Sequence, residues 1–287
     1  MTNRISFKSI HWKFIARVST YTILIILGIY LSVTLFILYS TVHIFGWDWN
    51  HTFKPAIVGG NPYKLSSFFS PPWVIILLAP FAWLPPGLDM IAIIVVSVAA
   101  WILALRKLRA PLIVTLLLLM TPQLLFGILS GNIDFLLPLG LLLPPPLGLF
   151  FVLAKPQIGA GLAIFWIIES FQRGGWKQAL ITITPIAAVS LFFCIPFGFW
   201  PMQLVDAVGT SWNISPFPYL AGAGIILLIR AIQTHRSGLA IISSLFMSPY
   251  MSPHSLPIVV LGLLPSKMES ILVIISLWTA WLIRGIS

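Results

Sequence analysis

Between Phe45 and Pro86 the chain reads FGWDWNHTFKPAIVGGNPYKLSSFFSPPWVIILLAPFAWLPP, the longest departure from an otherwise almost unbroken apolar sequence. Trp, His, Asn, Gly and Pro crowd this stretch around Asp48, one of only six acidic residues in the chain. A segment of that composition between membrane-spanning runs cannot lie exposed in lipid, where its backbone N–H and C=O groups would find no partners. It must sit in water, at the interface or in a protein-lined cavity, and it is read as the lip of an active site.

The apolar runs on either side set the class. Only 8% of the 287 residues are charged and 59% are hydrophobic, against roughly 25% charged in soluble domains. The expectation is an all-α, polytopic transmembrane protein forming one integral membrane domain, residues 1–287. The net charge of +10 does not point to nucleic acid, because the basic residues fall in short clusters between apolar runs, the pattern of topogenic loop charge. A single cysteine, Cys194, excludes an intramolecular disulfide and a multi-thiolate metal site. No His, Asp and Glu group has ligand spacing, so no metal or other cofactor is assigned.

Residues 1–18 carry Arg4, Lys8, Lys13 and Arg17 without an acid, which predicts a cytoplasmic N-terminus. Tyr21 to Phe45 is long enough for an uncleaved first span, and residues 46–72 become the first external loop. Trp73 to Leu84, bracketed or broken by Pro71, Pro72, Pro80, Pro85 and Pro86, is half a span and should turn back without crossing. Leu88 to Leu105 spans inward to the basic cluster Arg106, Lys107 and Arg109, and Leu112 to Ile128 returns outward to SGNID at 130–134. The triple proline 144–146 ends a helix, and Leu147 to Ser170 is read as a span holding Lys155-Pro156-Gln157. Arg173 and Lys177 mark a cytoplasmic turn before Leu180–Ile195. A second external loop with Trp200, Asp206 and Trp212 follows, then Tyr219–Ile232, Leu239–Met247, SPYMSPHSLP at 248–257, and two closing apolar segments. The sum is about eight spans plus two or three re-entrant or half-length helices, in the plasma membrane of a prokaryote.

This topology gathers the uncommon polar motifs on the non-cytoplasmic face: the Asp48 loop, Asn132 with Asp134, the Asp206 loop, and the break around His254. Ionisable groups at membrane depth or edge are costly and are functional candidates.

The run D-W-N…G-G-N-P-Y…F-F-S-P-P…P-F-A-W-L-P, residues 48–85, resembles the first external loop of the polyprenol-phosphate-dependent glycosyltransferases of family 87. G-N-I-D-F-L-L followed by L-G-L-F-F-V-L-A-K-P-Q, residues 131–157, is similar to that family's next motifs in the same order, and together the regions cover about a third of the chain. Where the family's later Trp-Asp-His motif would stand, this chain has S-P-Y-M-S-P-H. The resemblance implies a multi-span fold of the GT-C class, a lipid-phosphate-linked sugar donor and a catalytic acid in the first external loop. On those terms Asp48 is the leading general base and Asp134 the reserve. Asn61, Tyr63, Asn132, Lys155, Gln157 and His254 are candidates for substrate binding, with Lys155 reaching a lipid phosphate as a point charge. The expected reaction moves a hexose, mannose first, from a polyprenyl-phosphate donor to a lipid or glycan acceptor, with membrane lipids as surroundings. Broken helices also fit a transporter or lipid translocase, and a non-catalytic membrane subunit is a third reading. Most of these residues have a structural alternative: an interfacial place between two tryptophans for Asp48, a turn at Asn61-Pro62-Tyr63, a helix cap at Asn132 and Asp134, ion pairing for Lys155, packing for His254.

Overall fold

The computed structural model describes residues 45–286. The basic segment 1–18 and residues 21–44 of the first expected span lie outside the described residues. Within them every regular element is helical. A helical stretch with a π turn at Trp49–Phe53 runs into α1 (Lys54–Val58). Then come α2 (Val74–Ala82), α3 (Leu88–Lys107), α4 (Leu112–Leu119), α5 (Pro122–Ser130), α6 (Leu136–Leu142), α7 (Pro145–Val152) and α8 (Pro156–Phe197). The chain closes with α9 (Ala221–Thr234), α10 (Ser237–Met247), α11 (Ile258–Leu263) and α12 (Lys267–Ile286).

Among the described residues α3 and α8 are long and apolar enough to cross a membrane, and α4 with α5 makes up to three such candidates. The other expected spans within the described residues are not confirmed, because proline and glycine cut the apolar runs short. Leu112–Ile128 is two helices bent by 60°. Thr121, which precedes Pro122, is extended (φ −65°, ψ 139°), since the proline ring disfavours a helical residue before it. The Thr121 hydroxyl donates to the Leu118 carbonyl at 2.7 Å, taking up an acceptor that the bend frees. At 14 and 11 residues, α9 and α10 are roughly 21 and 16 Å long, short of the ~30 Å hydrocarbon core.

Although α8 runs over 42 residues, its backbone is non-helical at Gly174 and Gly175, the latter at φ 63° and ψ −160°, a region open essentially to glycine alone. The Thr182 hydroxyl donates to Ser170 Oγ at 2.9 Å. Twelve residues of continuous helix would hold these groups ~18 Å apart, so the two arms of α8 fold back on each other. The reversal expected between Arg173 and Lys177 falls at these glycines.

The region from Ile133 to Lys155 is a helical hairpin. Leu143 and Pro144 are extended, and Pro145 and Pro146 open α7 at positions where the missing N–H breaks no helical bond. The helices α6 and α7 meet backbone to backbone: a Cβ on Gly140 would stand 2.9 Å from the Gly148 carbonyl oxygen. Lys107 Nζ donates to the Leu141 carbonyl at 2.7 Å, closing the C-terminal end of α6. The expected span Leu147–Ser170 is not continuous. Val152 ends α7, Lys155 leaves helical geometry (φ −128°, ψ 85°), and α8 starts at Pro156. Asp134, just before α6, and Lys155, just after α7, therefore arrive at the same mouth of the hairpin.

Candidate functional site

The site grows from the C-terminus of α5. Gly131 takes the left-handed conformation (φ 75°, ψ 31°), and the Asn132 N–H reaches back to the Gly127 carbonyl at 2.8 Å. This is the six-to-one bond of a Schellman cap. Any side chain at 131 would clash, since a Cβ there stands 2.6 Å from Trp49 Cβ. The cap throws Asn132 into extended geometry and aims its amide at the Asp48 segment. That segment is pinned by the Gly46 N–H, which donates to the Leu129 carbonyl of α5 at 2.7 Å.

Asp48 Oδ2 accepts from Ser130 Oγ at 2.9 Å and from Asn132 Nδ2 at 2.7 Å. Its Oδ1 has no hydrogen-bond partner among the described residues, and the residue is half-buried. On the other side of the amide, Lys155 Nζ donates to Asn132 Oδ1 at 2.8 Å. An ammonium offers only donors and a carboxylate only acceptors, so the amide has one permitted orientation: oxygen to Lys155, nitrogen to Asp48. Lys155 also pairs with Asp134 Oδ1. Asp134 and Lys155 are 4% and 6% exposed, a depth at which each charge requires the other.

His254, on the 3₁₀ turn Pro253–Ser255, completes the cluster. Its Nε2 lies 3.0 Å from Ser252 Oγ, 3.4 Å from Lys155 Nζ and 3.7 Å from Asp134 Oδ2. Nε2 therefore faces the Lys155 ammonium and the Asp134 carboxylate together. The ring stacks on Phe126 of α5, 8° from parallel, and Ser255 Oγ donates to Asp134 Oδ2 at 3.0 Å. Asn213 carries the 208–215 loop to this turn. It uses both amide hydrogens on the carbonyls of Val208 and Pro249, and its oxygen accepts from the N–H groups of Ser215 and Met251.

Five of the eight residues singled out from sequence thus form one hydrogen-bonded cluster: Asp48, Asn132, Asp134, Lys155 and His254. The other three make no hydrogen bond to it. Asn61 Oδ1 accepts from the Tyr63 N–H at 3.0 Å and caps the turn Pro62–Lys64. Tyr63 donates its hydroxyl to the Ser70 carbonyl at 3.1 Å and packs edge-on against Phe68 and Phe197. Burial, with a smaller contribution from Cys194, raises the Tyr63 phenol above its ordinary range. Gln157 is half-buried in the first turn of α8.

A third acid, Asp89, escaped the sequence reading. Asp89, on the first turn of α3 and 2% exposed, accepts on Oδ1 from the Gly87 and Met90 N–H groups at 2.9 and 2.8 Å. Its Oδ2 accepts from Trp49 Nε1 at 2.9 Å and from Lys54 Nζ at 2.7 Å. Trp49 and Lys54 are five residues apart, a spacing that an α-helix splays by about 140°. The π turn between them, with its i to i+5 bonding, brings both to one carboxylate. An acid one residue inside an apolar run was the available signal. Among the described residues no group of three His, Cys, Asp or Glu side chains is arranged to hold a metal ion. Comparison of the chain with protein-family models, with curated proteins and with solved structures returns no match.

Proposed function

We propose that this chain is a membrane glycosyltransferase of the GT-C class, moving a hexose, mannose in the first instance, from a polyprenyl-phosphate donor to a lipid or glycan acceptor. Asp48 is the general base. The acceptor hydroxyl gives its proton to Asp48 Oδ1 while the acceptor oxygen bonds to the anomeric carbon. The bond from that carbon to the phosphate oxygen breaks, and its electron pair leaves on the lipid phosphate. One displacement of this kind inverts the anomeric centre.

One observation carries the reading: the D-W-N, G-N-I-D and K-P-Q motifs, far apart in sequence, are joined through the Asn132 amide and leave one Asp48 oxygen without a partner among the described residues. A carboxylate held on one oxygen and free on the other is arranged to accept a proton from a bound hydroxyl. The multi-pass topology is part of the proposal, with a cytoplasmic N-terminus and the site on the opposite face. It is supported by α3, which carries Arg106 and Lys107 at its C-terminal end, since basic residues at a span's end favour the cytoplasmic side.

The test is transfer from a labelled polyprenyl-phosphate mannose in proteoliposomes. Asp48→Asn is expected to lower the rate by at least about a hundredfold, the lower end of what a positioned base supplies; unchanged transfer removes Asp48 as the base. The interrupted helices α4–α5 and α6–α7 favour a second reading, a lipid translocase. Movement of lipid or solute across proteoliposomes without transfer would support that reading instead.

A further inference from the structure

We infer that Lys54 is the phosphate-binding cation of this site, exchanging Asp89 for a lipid-linked phosphate; the inference rests on reading the Asp48 site as a lipid-phosphate sugar transferase. A leaving polyprenyl phosphate gains negative charge as its bond to the sugar breaks, and a cation that meets it there stabilises the transition state. The sequence offers Lys155 for that role, but its surroundings are closed. An ammonium has three N–H donors, and Lys155 faces Asn132, Asp134 and His254 from a position 6% exposed. Drawing it onto a phosphate would strand Asp134 in the interior without its cation.

Lys54 has the opposite character. Its side chain is 27% exposed, and among the described residues its one ion pair is with Asp89. Asp89 keeps three donors when Lys54 leaves, the Gly87 and Met90 N–H groups and the Trp49 indole, whereas Asp134 without Lys155 keeps one hydrogen-bond donor among the described residues, the Ser255 hydroxyl. The Asp89 pair holds Lys54 beside Trp49, the residue next to Asp48, and the π turn sets that register. Cation and base therefore sit on one rigid helical stretch, at the two ends of the π turn. His51 lies on that stretch too, but it stacks on Trp47 at 4.2 Å and turns its Nδ1 to the Trp47 carbonyl. Lys64 is exposed on a separate turn.

Binding of undecaprenyl phosphate to the full-length protein in detergent micelles tests this without requiring transfer. Undecaprenol, inorganic phosphate and phosphatidylglycerol vesicles are the comparison probes. The wild type should hold undecaprenyl phosphate well above undecaprenol. Lys54→Gln should weaken that binding at least about tenfold, the loss of one hydrogen bond to a charged group, and Lys54→Arg should restore most of it. Asp89→Asn, which releases the lysine, should bind as tightly as wild type or tighter. Equal binding by Lys54→Gln and wild type, or a loss confined to Lys64→Gln, overturns the assignment even if transfer is demonstrated. Equal binding of phosphatidylglycerol or inorganic phosphate overturns the lipid-linked donor as the occupant. A Lys54→Gln protein that has lost undecaprenol binding and melting temperature in parallel has lost structure, and the Lys54→Arg and Asp89→Asn results then decide. Lys54-dependent binding without mannose transfer leaves the cation assigned and the sugar or the reaction at fault.

Discussion

Replacing Lys155 with methionine isolates what the buried ion pair contributes. Methionine keeps an unbranched side chain of similar length and removes only the ammonium. Asp134, 4% exposed, then keeps the Ser255 hydroxyl and the neighbouring His254 but no fixed cation. Stranding one member of a buried pair costs about 3–5 kcal/mol. At roughly 2 °C per kcal/mol for a chain of this size, Lys155→Met should melt ~6–10 °C below wild type. Asp134→Asn combined with Lys155→Met removes both charges, and at least half of that loss should return, a coupling of roughly 2 kcal/mol or more. Tryptophan fluorescence during heating at one fixed scan rate, in one detergent, reads the difference. If the double variant melts where the single effects sum to within about 0.5 kcal/mol, the two charges are not coupled and the hairpin mouth is held by something else.

Two further outcomes follow from the folded-back arms and from the buried phenol. In a Cys194→Ala background, Ser170→Cys with Thr182→Cys should cross-link on mild oxidation, detected by loss of thiol labelling, whereas a continuous helix would keep these positions ~18 Å apart. Tyr63 holds its proton more tightly folded than unfolded, so its contribution to stability is complete below the unfolded value of about 10. It declines as pH rises past that value, where the unfolded state sheds the proton first. Tyr63→Phe should flatten the fall in melting temperature between pH 9 and 11 that the wild type shows, at a cost of about 1 kcal/mol at neutral pH for the hydroxyl bond to Ser70.

The cluster was legible in the sequence to the extent that polarity alone marks it. In a chain with few charges, Asp48, Asn132, Asp134, Lys155 and His254 stand out because each interrupts an apolar run, and an interior with no water obliges such groups to find one another. Which of them touch was not legible, because the amide bridge depends on the Gly131 cap and the Lys155 corner, both set by packing of distant segments. Asp89 was passed over because it lies inside an otherwise good span, and its partner Lys54 is reachable only through a π turn, which no hydrophobic period announces. Asn61 and Tyr63 were picked out by a motif whose local content is turn chemistry, and that is the work their hydrogen bonds do. The turn near Gly174–Gly175 was foreseen from the charges of Arg173 and Lys177, though not from the glycines themselves. The break after Val152 was not, since a lysine inside an apolar stretch does not say whether the helix continues through it.

The Asn132 amide has a consequence for traffic through the cluster. It couples Asp48 electrically to the buried lysine, yet an amide nitrogen and oxygen held between fixed partners do not relay a proton from one side to the other. On the proposed reading, a proton taken up at Asp48 Oδ1 does not pass through this amide to Lys155, Asp134 and His254. On that reading the carboxylate resets by giving the proton to water, while the interior charges stay as the fold set them.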